Sequence, residues 1–231
     1  MRATLQKETV LVADDCPDML RMISKNLGDA GIRVIEARDG AEALEKARTL
    51  LPSLAVLDLK MPQLSGIEVL KALKAGSATA NISVVMLTAH GDEVDRILAF
   101  ELGTDDYLSK PFSPRELVLR VRGILSRNRQ PTDPAFLQAG PIQIDAERYE
   151  VYVCERRLDV TATEFRLLSI LLRKAGRVFT RTELVTETWG PESDVDPRNV
   201  DTHLRRLRAK MGPEADLIQT IRGVGYRMTG E

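Results

Sequence analysis

The first half of the chain alternates two hydrophobic periods, and that alternation constrains the fold more than any single motif. Five short apolar runs are TVLVA (9–13), IRVIEA (32–37), LAVLD (54–58), ISVVMLT (82–88) and DYLSK (106–110). They are rich in Val, Ile and Leu and show little polar alternation, as strands buried on both faces do. Amphipathic segments lie between and after them, near 17–29, 40–50, 66–75, 92–102 and 113–128. Five strands alternating with five helices predict an α/β domain, a five-stranded parallel doubly wound sheet with helices on both faces. Right-handed crossovers then fix most of its topology.

The stretch SRNRQPTDPAFLQAG (126–140) breaks this rhythm with polar residues and two prolines. It divides the chain into a first domain over 1–128, a linker over 129–138 and a second domain over 139–231. The second domain has a different pattern. PIQIDAERYEVYVCERRLDVT (141–161) reads as short antiparallel strands with turns. Three helical stretches follow, ATEFRLLSILLRKAG, TRTELVTETW and PRNVDTHLRRLRAKMG, and then two short strands around Arg222-Gly223 in LIQTIRGVGYRMT. This predicts a small α+β domain around a helix-turn-helix.

Bulk charge separates few functions. The formal net charge is -1, and neither half is basic as a whole. Cys16 and Cys154 sit in different halves, which fits a reducing compartment and gives no zinc spacing. No apolar run approaches the ~18 residues of a membrane span. The expectation is a cytoplasmic protein without a membrane partner.

In an open α/β sheet, ligands bind beyond the carboxyl ends of the strands. Asp14 and Asp15 end the first run, Asp58 the third, Thr88 the fourth and Lys110 the fifth. A lone Asp-Asp pair after a strand is ordinarily a turn or a helix cap, and a lone Lys-Pro carries little. Three carboxylates at one sheet edge need a cation, and oxygen-only ligands favour Mg²⁺ or Mn²⁺. A lysine and a hydroxyl beside them suit a phosphoryl group, with one Asp as nucleophile.

The ordered set DD, LDLKMP, MLTA and DDYLSKPFSPREL closely resembles the receiver domain of two-component response regulators, a flavodoxin-like fold. The second half resembles the winged helix of the OmpR/PhoB subfamily, through TATEFRLLSILL, RTELVTETWG, RNVDTHLRRLRAKMG and IQTIRGVGYRM. The resemblance implies that Asp58 is the phosphoacceptor and that a sensor histidine kinase supplies the phosphoryl group. It implies that Asp14, Asp15, Asp58 and the backbone carbonyl of Lys60 hold Mg²⁺. Thr88 and Tyr107 match the switch pair, Lys110 the phosphate-binding lysine before a cis-type Pro111, and Pro62 and Gly66 the loop after the phosphoacceptor. Lys60 and His90 fall at positions like those that tune phosphate lifetime; an exposed loop residue is the plainer reading of His90.

The same resemblance implies a homodimer formed on phosphorylation through the fourth and fifth receiver helices. Arg96 with Glu116, Glu101 with Arg122 and Asp106 with Arg120 match its intermolecular salt bridges. Thr104, where Ala is usual, lies near that face.

A local basic patch lies between 198 and 210, where Asp201 is the one acid among Arg198, Arg205, Arg206, Arg208 and Lys210. Val200, Leu204, Leu207 and Met211 recur at helical spacing and give that helix an apolar face. A cationic amphipathic helix also suits membranes or acidic partners. Its place as third in a three-helix unit, before a hairpin, makes it a recognition helix for the major groove of double-stranded DNA. The family resemblance implies phosphate contacts from Arg198, His203 and Arg208. It brings Arg205 and Arg206 to base edges or adjoining phosphates, with their division of labour open. It sends Arg222 into the minor groove and sets Thr220 near the backbone. Leu167, Leu168, Leu171 and Trp189 read as core. TETWGPESDVDPR (186–198) matches a loop that contacts RNA polymerase, and a plain exposed loop is an equal reading.

The leading expectation is a phosphorylation-controlled transcription regulator that catalyses only its own phosphorylation and dephosphorylation, not an enzyme with a separate substrate. A phosphohydrolase with Asp58 or Asp14 as nucleophile uses the same acids, cation and lysine, yet no segment looks like a specificity cap. A third reading keeps DNA binding and makes phosphorylation dispensable.

Overall fold

The structure, a computed structural model, describes residues 8–89, 99, 102–129, 136–146, 148–191 and 195–229. The chain divides into two compact units, Met1–Arg127 and Asn128–Glu231.

In the first unit, β1 (Thr9–Ala13), α1 (Pro17–Asp29), β2 (Arg33–Ala37), α2 (Gly40–Leu50), β3 (Leu54–Asp58), α3 (Gly66–Ala75), β4 (Ser83–Ala89), β5 (Asp106–Lys110) and α4 (Pro114–Arg129) follow in order. The predicted helical segment 92–102 falls largely outside the described residues, so α4 is the fifth predicted helix. The strands form one sheet in the order β2-β1-β3-β4-β5, and every pairing is parallel. The central β3 is buried along its whole length, as its unbroken apolar sequence requires. At the edge, β2 is only partly buried, because a helix layer cannot wrap the free side of the sheet fully.

Two apolar clusters fill the layers, one on each face. Leu11, Leu57, Val69, Leu70 and Met86 belong to one; Val10, Val12, Ile23, Val56, Val121 and Ile124 belong to the other. Alternate residues of one strand thus serve opposite cores. Each fully buried Leu, Ile or Val contributes about 1.5–3 kcal/mol.

Helix starts are written locally. Ser65 accepts from the Glu68 amide while the Glu68 carboxylate accepts from the Ser65 amide, a reciprocal cap that begins α3. Asp39 caps α2 by accepting from the Glu42 amide.

The second unit begins with an antiparallel four-stranded sheet: β6 (Phe136–Ala139), β7 (Ile142–Asp145), β8 (Glu150–Val153) and β9 (Arg156–Leu158). Next come α5 (Ala162–Arg173), β10 (Val178–Thr180), α6 (Arg181–Trp189), α7 (Asn199–Met211), β11 (Ile218–Ile221) and β12 (Gly225–Met228). A short 3-10 turn, Gly212–Leu217, links α7 to β11. Strands β10, β12 and β11 make a second antiparallel sheet. Thr161 with Glu164 and Thr180 with Glu183 repeat the reciprocal cap at α5 and α6.

One expectation changes, and one strand is new. The stretch 129–138 is not linker throughout, since Arg129 closes α4 and β6 starts at Phe136. Leu137 is buried between exposed Phe136 and Gln138, a half-buried pattern too short to stand out beside the prolines of 131–134. Strand β10 also goes unread in the sequence, because three residues carry no period.

Candidate metal centre and nucleic-acid interface

The carboxyl ends of β1, β3, β4 and β5 bring the predicted pocket residues to one edge of the sheet. Carboxylate oxygens of Asp14, Asp15 and Asp58 lie within 4.8 Å of one another. Asp14 is fully buried and Asp58 nearly so, whereas Asp15 is exposed. Asp14 Oδ1 accepts from the Cys16 amide at 2.9 Å, which fixes the carboxylate at the turn into α1.

Lys110 supplies the opposing charge. Its Nζ stands 2.7 Å from Asp58 Oδ1 and 2.8 Å from Asp14 Oδ2. Burial pushes the Asp58 carboxyl above the ordinary aspartate range, Lys110 partly offsets that, and the charges of Asp14 and Asp15 add to it. Burial also opposes the charge on Lys110, but its bonds to Asp14 and Asp58 outweigh it, so the ammonium titrates above the usual lysine range. The Lys110–Pro111 peptide is cis.

Thr88 is buried at the end of β4, and partly buried Tyr107 packs against the cluster that holds Leu57 and Met86. Lys60 is exposed in the loop after β3. That loop is closed at its ends and tied at its middle. The Gly66 amide donates to the Leu59 carbonyl at 2.9 Å, and Gln63 Nε2 donates to Asp39 Oδ2 at 3.0 Å. His90 lies outside the described residues.

Three clustered carboxylates, two of them buried, fit a hard divalent cation that takes oxygen ligands and keeps waters. Lys110 beside them is placed for an oxyanion carried on Asp58.

On the predicted dimer face, Arg96 and Glu101 lie outside the described residues. Asp106 and Arg120, expected to bridge two chains, already meet within one chain at 3.1 Å, and Arg120 also holds Glu116 at 2.9 Å. Arg122 donates to the Ala30 carbonyl at 2.7 Å. Thr104 is fully buried and donates to the carbonyls of Val84 and Asp106, so it ties β5 to β4 from inside.

In the second unit, α7 buries Val200, His203, Leu204, Leu207 and Met211. Arg198 and Arg205 are exposed and Arg206 is partly so. Arg222 and Thr220 are exposed on the β11–β12 hairpin. His203 corrects the expectation of a phosphate contact. It is fully buried, 5.7 Å from the Trp189 ring, because it falls three residues after Val200 on the apolar face. Arg208 is also not a free surface cation: its Nε donates to the Ile218 carbonyl at 3.0 Å and its Nη2 to Thr220 Oγ1 at 2.8 Å. Lys210 pairs with buried Glu164 at 2.6 Å. Arg181, Asp201 and Tyr226, absent from the sequence-based list, form a cluster behind the hairpin; a lone acid within the basic run was the available signal.

Comparison with known proteins gives two family matches: the response regulator receiver domain over residues 10–122, and the C-terminal domain of transcriptional regulatory proteins over 155–228. A probable transcriptional regulator, ycf27 of Porphyridium aerugineum, is 42% identical over 233 residues, 96% of each chain. The DNA-binding response regulator MtrA of Mycolicibacterium smegmatis is 40% identical, again over 96% of each. The crystal structure of DrrB, an OmpR/PhoB homologue from Thermotoga maritima, matches with a TM-score of 0.51 at 32% identity, over 97% of this chain and all of that one. A receiver domain joined to a DNA-binding domain defines a response regulator that acts on transcription. The chain belongs to the OmpR/PhoB family of these regulators. Among the described residues, no helix is long and apolar enough to cross a membrane.

Proposed function

We propose that this regulator is switched by phosphorylation of Asp58 and then binds tandem DNA half-sites as a homodimer. The observation that carries the reading is Lys110 bridging Asp58 and Asp14 beside Asp15 at one sheet edge. Asp14, Asp15 and Asp58, with the carbonyl of Lys60, would hold Mg²⁺, or Mn²⁺ in its place. When bound, the cation offsets charge on the phosphoryl oxygens.

An Asp58 carboxylate oxygen attacks the phosphorus of a phosphohistidine on a sensor histidine kinase. The bond from that phosphorus to the histidine nitrogen breaks, and its electron pair stays with the imidazole. Lys110 then turns from the two carboxylates to the new phosphoryl oxygens, and Thr88 donates its hydroxyl to one of them. Tyr107 follows into the space that Thr88 leaves. This shifts the face carried by segment 92–102, β5 and α4, a population shift between two packings.

On that face, Asp106, Glu116, Arg120 and Arg122, with Arg96 and Glu101, would form the dimer contacts; Arg120 exchanges or shares its in-chain partners to do so. Arg198, Arg205 and Arg206 on α7 meet the major groove and Arg222 the minor groove, where a guanidinium suits the negative potential. Two half-sites about one helical turn apart match a dimer. The loop before α7 faces RNA polymerase. The receiver catalyses only its own phosphorylation and dephosphorylation, and the protein works in the cytoplasm.

The test is incubation with acetyl phosphate and Mg²⁺, followed by intact mass and sedimentation. One added phosphoryl group and a monomer-to-dimer shift, both lost in Asp58→Ala, are expected. Unmodified wild type, or repeated turnover of a generic phosphate ester by Asp58, would sink the reading.

A further inference from the structure

Asp201 is the one acid within the basic run of the recognition helix, where a negative charge opposes approach to DNA. Its neighbours give it another task. Asp201 Oδ1 accepts from Arg181 Nε and from the Tyr226 hydroxyl, each at 2.8 Å. Arg181 opens α6 and Tyr226 lies in β12, so one oxygen joins three elements. Burial first, and then the bond to Asp201, raises the Tyr226 hydroxyl above the usual tyrosine range, so it stays a donor.

Seven residues on, two turns along the same stripe of α7, Arg208 grips the other strand through the Ile218 carbonyl and Thr220 Oγ1. The guanidinium carbons of Arg181 and Arg208 stand 5.2 and 5.4 Å from the Tyr226 ring centroid. The two grips are spaced roughly 10 Å along the helix axis. Two separated grips fix the direction of the hairpin as well as its place. Behind it, Gly225 passes so close to β10 that an added Cβ would meet the Phe179 carbonyl oxygen at 1.9 Å. The hairpin root therefore cannot slide, and its tip carries exposed Arg222 and Val224.

We infer that Asp201, Tyr226 and Arg208 are positioning residues that aim the hairpin tip at the minor groove while the recognition helix occupies the major groove. The inference rests on the groove assignments proposed above. Asp201 then strengthens binding despite its charge, and Arg208 and Thr220 act as the strut of the wing instead of contacting phosphate.

The test uses the full chain and a duplex selected by the wild-type protein from a random-sequence pool. Hydroxyl-radical cleavage reads the minor groove and dimethyl sulfate reads guanines in the major groove. Tyr226→Phe removes one hydroxyl and no charge. It should bind about tenfold more weakly and lose minor-groove protection at the edge of each half-site, with major-groove protection and melting temperature retained. Asp201→Ala should show the same loss, whereas Asp201→Asn, which still accepts from the tyrosine, should recover most of it. The double variant Asp201→Ala, Tyr226→Phe should add little to either single change. Tighter binding by Asp201→Ala, as removal of a negative charge alone would give, overturns the inference, as does an unchanged footprint in Tyr226→Phe. If wild type itself protects no minor groove, the groove assignment fails first, and that result is distinct.

Discussion

Gly66 lies against the backbone of Asp58 so closely that a Cβ at Gly66 would meet the Asp58 carbonyl oxygen at 2.2 Å. The helix that follows the loop after β3 therefore starts in contact with Asp58. A methyl group here must push either β3 or the start of α3. Gly66→Ala should cost about 1–3 kcal/mol in urea unfolding of the receiver and slow modification of Asp58 by acetyl phosphate. Wild-type values in both measurements would show that the loop yields freely.

The acid cluster trades stability for chemistry. Three carboxylates within 4.8 Å, with Asp58 largely buried, repel one another in the absence of a cation. Asp58→Asn should therefore stabilise the metal-free protein at neutral pH by on the order of 1 kcal/mol. Mg²⁺ should stabilise wild type, by about 2.7 kcal/mol at a hundred times its dissociation constant. Thermal melts with and without Mg²⁺ check both, and Asp15→Asn should blunt the metal response.

The reciprocal caps make helix starts acid-sensitive. The Ser65 hydroxyl and then its amide hold the Glu68 carboxyl below the ordinary glutamate range; the Thr180 amide and hydroxyl, with Arg177, do so for Glu183. A carboxyl with a lowered folded-state value contributes fully above the ordinary range and loses that contribution as pH falls through its folded value. The unfolding midpoint of Glu183→Gln should fall less steeply than that of wild type between about pH 5 and 3. Equal slopes would remove Glu183 from the acid response.

His203 separates stability from affinity. It is fully buried beside Trp189, the chain's single tryptophan. His203→Ala should lower stability of the DNA-binding domain by about 2–4 kcal/mol, read from Trp189 fluorescence during unfolding. A variant that folds as stably as wild type and only binds DNA less well would restore the phosphate-contact role.

Arg206 distinguishes reading from steering. If it meets a base edge, Arg206→Ala should lose about 1–3 kcal/mol on the selected site and relax preference at one position. If it meets a phosphate, the loss should be uniform over sequences and the salt slope should shrink by about one. Binding isotherms at several salt concentrations on matched and altered duplexes decide between them.

The sheet and its pocket were readable because their signals are dense and long-range consistent. Runs that end in Asp14, Asp58, Thr88 and Lys110 admit one parallel stacking that gathers those residues. The reciprocal caps at SGIE, TATE and TRTE went unread, although their S/T-x-x-E spacing was the available signal. What escaped was local detail set by partners. His203 has the same sequence character as a surface histidine until its phase against Val200 and Leu207 is counted. Arg208 looks like its neighbours, and only the hairpin's carbonyl and hydroxyl distinguish it. Strand β6 hid beside prolines because one buried residue, Leu137, carries its whole inward pattern.

The edge position of β5 gives the pocket a sense of time. Asp14 and Asp58 are set by inner strands, but Lys110 arrives on the last strand of this sheet to be synthesised, an edge strand beside β4. During translation the acids are present long before their counter-charge. On the function proposed above, a chain would accept the phosphoryl group only once β5 has paired with β4, so the modification would report a finished receiver as well as a signal.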